Sequence, residues 1–302
     1  MTRQFWLFAA LILTACGPRS QTGARIDPRL EELIPPDTLH LVGARVEEIR
    51  NSPVYKLYEG QRQTAMLDEF GKRTGVDPRR DVSEFLAAND GKQTLTLVRG
   101  KFQPAAVEKK VTAEGTPVLA HGGRTLLGNE HFAVTFVSDS IAIAGPAALV
   151  RATLDRGGKP MAERLASLVR SIQGKAQIWA VSMGSLPSLG IPQNSNFRNL
   201  ERAFSAIDTA VVSADLSAGL KLSVTAKYTG EAEARQVHGA VRGLIGLGRL
   251  TTPPDKPELL RFYDAFVTGQ EGVTLRVNAD IAADLLEKVV RHLTTMVQQS
   301  LQ

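Results

Sequence analysis

The sequence predicts an α+β fold: two modules, each a mainly antiparallel sheet covered on one face by amphipathic helices. Three observations carry this. Ala210, Val212, Ala214 and Leu216 alternate along one face, Ala218-Gly219 turns the chain, and Leu220, Leu222, Val224, Ala226 and Tyr228 then alternate against Lys221, Ser223, Thr225 and Lys227. That period-two pattern is a hairpin with one buried and one wet face. Short apolar β candidates bounded by Gly, Asn and Asp recur in both halves of the chain. Between them lie segments such as 162–172, whose Leu165, Leu168, Val169 and Ile172 fall at helical spacing. Strands that pair locally, with helices set beside them, give segregated α+β layers. The 302 residues, 43% hydrophobic and 22% charged, suffice for one large domain or two of about 150 residues. They exclude wholesale disorder, collagen and coiled coil.

The elements follow in order. Ile34-Pro35-Pro36-Asp37 punctuates the entry to the folded part, and 38–43 reads as a strand. Ser52-Pro53 is a helix start, serine as N-cap and proline at the first helical position; Gly71 and Gly75 end that helical region. Residues 81–88 read as a short helix, Asn89-Asp90-Gly91 as a turn, and 93–99 as a strand. After Gly100, 104–113 is helical, and 117–120, 124–127, 132–137 and 141–144 are β candidates. Helices follow at 146–154 and 162–172. The second module opens with a strand at 177–183, a loop at 184–195 and a helix at 197–207, then the hairpin. Helices at 231–249 and 257–267, a strand around Val273, Leu275 and Val277, and a final helix bearing Ile281, Leu285, Val289, Val290 and Leu293 complete the chain.

Met1 to Arg3 is short and positive, and an apolar run follows over 5–13. The run is too short to span a bilayer, which needs about 20 residues, and suits the apolar core of a secretory signal. Leu13-Thr14-Ala15-Cys16 resembles the lipobox of bacterial lipoproteins. The resemblance implies recognition by signal peptidase at Leu13, Thr14 and Ala15, cleavage before Cys16, and acylation of Cys16 with diacylglycerol and palmitate. It also implies a cell-envelope protein facing the periplasm, with Gly17 in place of aspartate pointing to the outer membrane. More than one acyl chain is needed for stable anchoring, at ~0.8 kcal/mol per buried CH₂. The expected organisation is a signal peptide at 1–15, a tether at 16–30, a first module at 31–172 and a second at 173–302. The small, polar stretch 17–25 reaches on the order of 15–20 Å as a flexible chain.

Four further segments resemble an uncharacterised group of bacterial envelope proteins, over roughly residues 31–156. They are Ile34-Pro35-Pro36-Asp37-Thr38, Thr74-Gly75-Val76-Asp77-Pro78-Arg79-Arg80-Asp81-Val82, Val98-Arg99-Gly100-Lys101-Phe102 and Gly145-Pro146-Ala147-Ala148-Leu149-Val150. These are turn and strand patterns, so the resemblance implies a location and supplies no catalytic site.

With one cysteine there is no intramolecular disulfide and no Cys₂ or Cys₄ metal site. The sequence holds no G-x-S-x-G, S-x-x-K or H-E-x-x-H, and each Gly-Lys pair lacks the earlier glycine of a P-loop. Gly243, Gly246 and Gly248 lie late in a helical pattern and read as close packing or a helix end, not a dinucleotide loop. His40, His121, His131, His238 and His292 show no i, i+3 or i+4 pairing, though His121 and His131 flank a β region and can meet across strands. The loop at 184–192 carries Leu186, Leu189 and Ile191 among turn residues, a place where binding function often sits.

Lys72, Arg73, Arg79, Arg80, Lys109 and Lys110 cluster in a chain of formal net charge +5; such a surface suits anionic lipid heads or envelope polymers. Export and the lack of aromatic-basic stacking motifs argue against nucleic acid. The expectation is a non-enzymatic, lipid-anchored envelope protein with a binding or scaffolding role, attached to the membrane through Cys16, with an envelope protein or anionic surface as partner and no cofactor. A periplasmic carrier of lipid or another hydrophobic ligand is the alternative. A hydrolase with a dispersed Ser/His/Asp site is the third.

Overall fold

The structure is a computed structural model that describes residues 26–58, 65–158, 160–185 and 205–300. Its twelve strands are β1 (His40–Ala44), β2 (Val82–Asn89), β3 (Thr94–Gly100), β4 (Val118–His121), β5 (Arg124–Gly128), β6 (Ala133–Ser138), β7 (Ile141–Gly145), β8 (Ile178–Met183), β9 (Ile207–Asp215), β10 (Gly219–Tyr228), β11 (Phe266–Glu271) and β12 (Thr274–Ala282). They form one sheet in the order β11-β12-β10-β9-β8-β1-β2-β3-β7-β6-β5-β4. Each neighbouring pair is antiparallel.

This corrects the two-module fold: there are not two sheets but one. The seam is β1, which pairs with β2 on one side and with β8 on the other. At that seam Gly43 stands opposite Trp179, whose indole is fully buried. A Cβ on Gly43 would lie 2.2 Å from the indole carbons. The glycine lets the ring lie across β1, and the ring's burial, worth roughly 1.5–3 kcal/mol or more for so large a side chain, joins the halves.

Register assigns every strand residue a face. Leu41, Leu86, Leu97 and Ile143 lie on one face, in the largest core cluster with Trp179 and Val181. Helices α1 (Pro28–Glu31), α7 (Ala147–Asp155) and α8 (Glu163–Ser171) cover this face with Leu30, Val150, Leu165 and Val169. Past the seam the same face turns polar, with Ser213, Ser223, Lys221 and Asn278. The opposite face is covered along both halves. Over β9, β10 and β12 it packs against α9 (Glu231–Leu250), α10 (Pro257–Asp264) and α11 (Ala283–Ser300). Over β2, β3, β6 and β7 it is roofed by α4 (Ala65–Thr74), α5 (Pro78–Asp81) and α6 (Pro104–Ala113). The first half is thus covered by helices on both faces, and past the seam only the opposite face keeps its cover.

Several local readings hold. The Ser52 hydroxyl caps α3 (Pro53–Tyr58) by accepting from the Tyr55 N–H at 3.1 Å. The hairpin forms with the expected faces. Residues 81–88 do not form a helix: they are mostly β2, whose side chains alternate between two covered faces. The expected helix at 257–267 ends at Asp264, and β11 follows. Ile281 belongs to β12, not to the last helix. The expected helix at 197–207 and the loop at 184–192 fall almost wholly outside the described residues.

Candidate functional site

The most distinctive concavity lies on the face of β2, β3, β6 and β7 that the main core does not use. Ala44, Phe85, Val98, Ala142 and Phe136 form one row straight across five strands. Ala144, Val134 and Leu127 form the next row along. Because three positions are alanine, the floor is low. The roof comes from Phe70 and Thr74 of α4, Val76 and Pro78 beside α5, and Val107 and Val111 of α6. Between floor and roof is a cavity of ≈ 580 Å³. None of its twenty lining residues is charged, and only Thr74 and Thr116 are polar. That size and lining match a site for a small apolar ligand.

Its boundary is soft. No residue of α4 is fully buried; Phe70 and Phe132, both lining residues, are 45% and 55% exposed. Gly75 ends α4 with φ +78°, its N–H donating to the Gly71 carbonyl at 2.8 Å, a helix stop that a side chain resists. Asp77 then caps α5 by accepting from the Arg79 N–H at 3.0 Å, and Pro78 opens that helix.

A second, smaller hollow of ≈ 190 Å³ adjoins the first; Thr74, Val76, Phe102 and Val107 line both. Its own lining is polar: Arg80, Asp81, Lys101, Gln103 and Lys110. The corner at 101–102 divides the two. Gly100 lacks a Cβ where one would lie 2.2 Å from the Asp81 carbonyl oxygen. The Lys101 N–H donates to that oxygen and the Phe102 N–H to Asp139, each at 2.8 Å. Lys101 therefore lines the polar hollow, while the Phe102 ring packs against Phe136 at 5.5 Å.

The basic cluster read from the sequence is here, and its three arginines are paired. Arg79 bridges Asp68 and Asp77, Arg80 pairs with Asp81 at 2.8 Å, and Arg73 with Glu114 at 3.3 Å. The Arg79 guanidinium holds the Asp77 carboxyl below its ordinary range, and Arg80 does the same for Asp81. On the other face Glu84 sits beside Arg99 at 3.3 Å; burial pushes its carboxyl up all the same.

The histidines do not converge. His40 Nδ1 lies 2.7 Å from Ser182 Oγ, and burial lowers the imidazole's pKa. Ser182 is buried within the sheet, and among the described residues no acidic side chain bonds to His40. His121 pairs with Asp155 at 2.8 Å, not with His131, which sits in the β5–β6 turn. His238 bonds Thr268, and His292 lies apart on α11. Among the described residues no group of three or more His, Cys, Asp or Glu is placed to hold a metal ion, and no helix is long and apolar enough to cross a membrane. Of the glycines in α9, Gly248 is in close contact, its missing Cβ lying 2.4 Å from the Tyr263 ring; Gly243 and Gly246 face open space. Leu13, Thr14, Ala15 and Cys16 lie outside the described residues.

The sequence reading missed the cavity. One signal was present: β2, β3 and β7 are apolar at consecutive positions (Phe85-Leu86, Leu97-Val98, Ile141-Ala142-Ile143-Ala144), which marks strands covered on both faces.

No protein-family model matches the chain, and no curated protein matches it. Among solved structures, crystal form I of TP0453 is similar at 14% identity and a TM-score of 0.45, over 90% of this chain and 99% of that one. Form III gives 13% and 0.49 over 88% and 98%; form IV gives 12% and 0.46 over 88% and 97%.

Proposed function

We propose that this protein is a non-enzymatic, lipid-anchored component of a bacterial envelope that binds an apolar ligand, an acyl chain, in the cavity beneath α4 and α6. The observation that carries the reading is the cavity itself: ≈ 580 Å³, walled by twenty residues without a charge among them. An apolar chain entering it sheds water along its length at ~0.8 kcal/mol per CH₂, and the exposed Phe70 and Phe132 mark where it enters. The lipobox at Leu13 to Cys16 supports attachment to a membrane surface, facing the periplasm and, with Gly17, the outer membrane. Anchoring there would keep the cavity close to a source of acyl chains.

The test is mass spectrometry of organic extracts from the mature chain beginning at residue 16 and carrying Cys16→Ser, with displacement of a fluorescent fatty acid as the second measure. Co-purified lipid and saturable displacement are expected. A protein that carries no lipid and displaces no probe ends the reading.

A scaffolding role is the second reading, and one observation favours it. Helix α9 presents Leu244, Leu247 and Leu250 to solvent, all more than half exposed, an apolar stripe of the kind that partners cover. Pull-down with Leu247→Glu against the unaltered chain tests it; an identical set of captured proteins discards the stripe as an interface.

A further inference from the structure

We infer that the ligand is an anionic amphiphile, its charged head held in the hollow of Arg80, Lys101 and Lys110 and its chain in the adjoining apolar cavity. This rests on the apolar-ligand reading above and narrows it to a chemical class. Two compartments of opposite character share one wall. Thr74, Val76, Phe102 and Val107 face both, so a single molecule can span them. The polar compartment holds three cationic side chains and one carboxylate, Asp81. That carboxylate is already engaged, by Arg80 and by the Asp77 N–H at 2.8 Å. Lys101 and Lys110 make no ion pair among the described residues, so the hollow keeps net positive charge with donors to spare. The Lys110 stem passes 3.7 Å from where a Cβ on Gly75 would stand, which sets it over the hollow at the end of α4. Gln103 adds an amide donor.

A carboxylate or phosphate head fits this composition. A neutral glycerol head leaves both lysines unpaired, and a phosphocholine head has no net charge, its phosphate being offset by a quaternary ammonium. Phosphate and carboxylate share the chemistry that matters here, a compact anion with several acceptor oxygens, so the assay must separate them.

Binding to the mature Cys16→Ser chain is measured by displacement of a fluorescent fatty acid for five probes. These are oleate, oleoyl lysophosphatidic acid, monoolein, oleoyl lysophosphatidylcholine and inorganic phosphate. Both anionic lipids are expected to bind about tenfold or more tighter than monoolein, and the zwitterionic choline lipid more weakly than lysophosphatidic acid. The tighter of the two anionic lipids names the head group. The advantage should shrink as salt is raised and vanish in Lys101→Gln/Lys110→Gln, in which oleate and monoolein should bind alike. Both lysines are at the surface, and an unaltered melting temperature shows that the variant is folded.

Equal affinity for oleate and monoolein overturns the inference and leaves the cavity reading standing. Displacement by inorganic phosphate alone also overturns it, since the hollow would then take a free anion without a chain. If none of the four lipids displaces the probe, the cavity reading itself has failed.

Discussion

Replacing Ala142 with leucine tests the cavity most directly. Ala142 stands on β7 between Val98 and Phe136 and contributes to the cavity floor. Leucine adds three carbons above a floor that alanine keeps low. If they project into the cavity, they displace about three methylenes of a bound chain, ~2.4 kcal/mol at ~0.8 kcal/mol each. That is roughly 60-fold in affinity. The unliganded protein has room for the new side chain, so stability should hold or rise by up to about 2 kcal/mol. Leu97→Ala is the matched control. Leu97 is on β3, one residue from Val98 but on the filled face and fully buried; its loss should cost about 2–5 kcal/mol and leave chain binding intact below the melting temperature. Urea unfolding and fatty-acid titration of both variants give the four numbers. If Ala142→Leu destabilises the protein by more than about 2 kcal/mol, the space is already packed in solution. If it binds oleate as the unaltered protein does, the ligand lies elsewhere.

Three other outcomes follow, two from the structure and one from the lipobox. Gly43→Ala drives a Cβ to 2.2 Å from the Trp179 ring and should cost about 1–3 kcal/mol or more by overpacking; unchanged thermal unfolding would mean the seam is not closed by that ring. Glu84 has its carboxyl raised above the ordinary 4.5, first by burial, against the pull of Arg99. Its contribution to stability is therefore full below about pH 4.5 and lost as pH rises through the higher folded value. Glu84→Gln stays neutral throughout, so the difference in urea midpoint between variant and wild type should move in the variant's favour from pH 4.5 to about 7; a constant difference refutes this. Cys16→Ser should abolish incorporation of labelled palmitate and leave the precursor uncut, as read by mass spectrometry of the membrane fraction, and label retained in the variant removes the lipobox reading.

What the sequence conveyed is what local chemistry decides. The hairpin of β9 and β10 could be read because Lys221, Ser223, Thr225 and Lys227 mark its wet face. The start of α3 could be read because Ser52 and Pro53 are a cap and a first-turn proline. The single sheet could not. Its decisive pairing, β1 with β8, joins segments far apart in sequence, and the residue that permits it is a glycine valued for a missing atom. Segment 81–88 failed for a related reason. Val82, Phe85, Leu86, Ala87 and Ala88 suit either a buried helix or a strand covered on both faces, and only the neighbours decide. The candidate site shares this opacity: a void is set by what Ala44, Ala142 and Ala144 do not fill, and no motif search finds absent volume.

That volume also argues against a packing fault. Protein interiors are close-packed, with few voids beyond the size of one water. Sealed and dry, ≈ 580 Å³ would cost on the order of 14 kcal/mol at about 24 cal/mol per Å³, as much as the whole net stability of a typical domain; this space is open to solvent beside Phe70 and Phe132, so its apolar walls stand against water. Covering those walls, by a ligand or by α4 closing down on the floor, takes apolar surface out of water. The wall able to give way is α4, which has no fully buried residue and leaves Met66 and Phe70 exposed. The floor strands cannot, being held to the filled core through Leu86, Leu97 and Ile143. Without ligand, α4 should therefore open and close readily, and a bound chain should give Phe70 something to pack against. Hydrogen exchange with and without oleate reads this. Amides of α4 are expected to exchange at least several-fold more slowly with ligand, while those of β3, already protected, change little. Equal slowing across both elements would signal global stabilisation by mass action with no special role for α4, and no slowing in either would mean that the cavity does not take the chain.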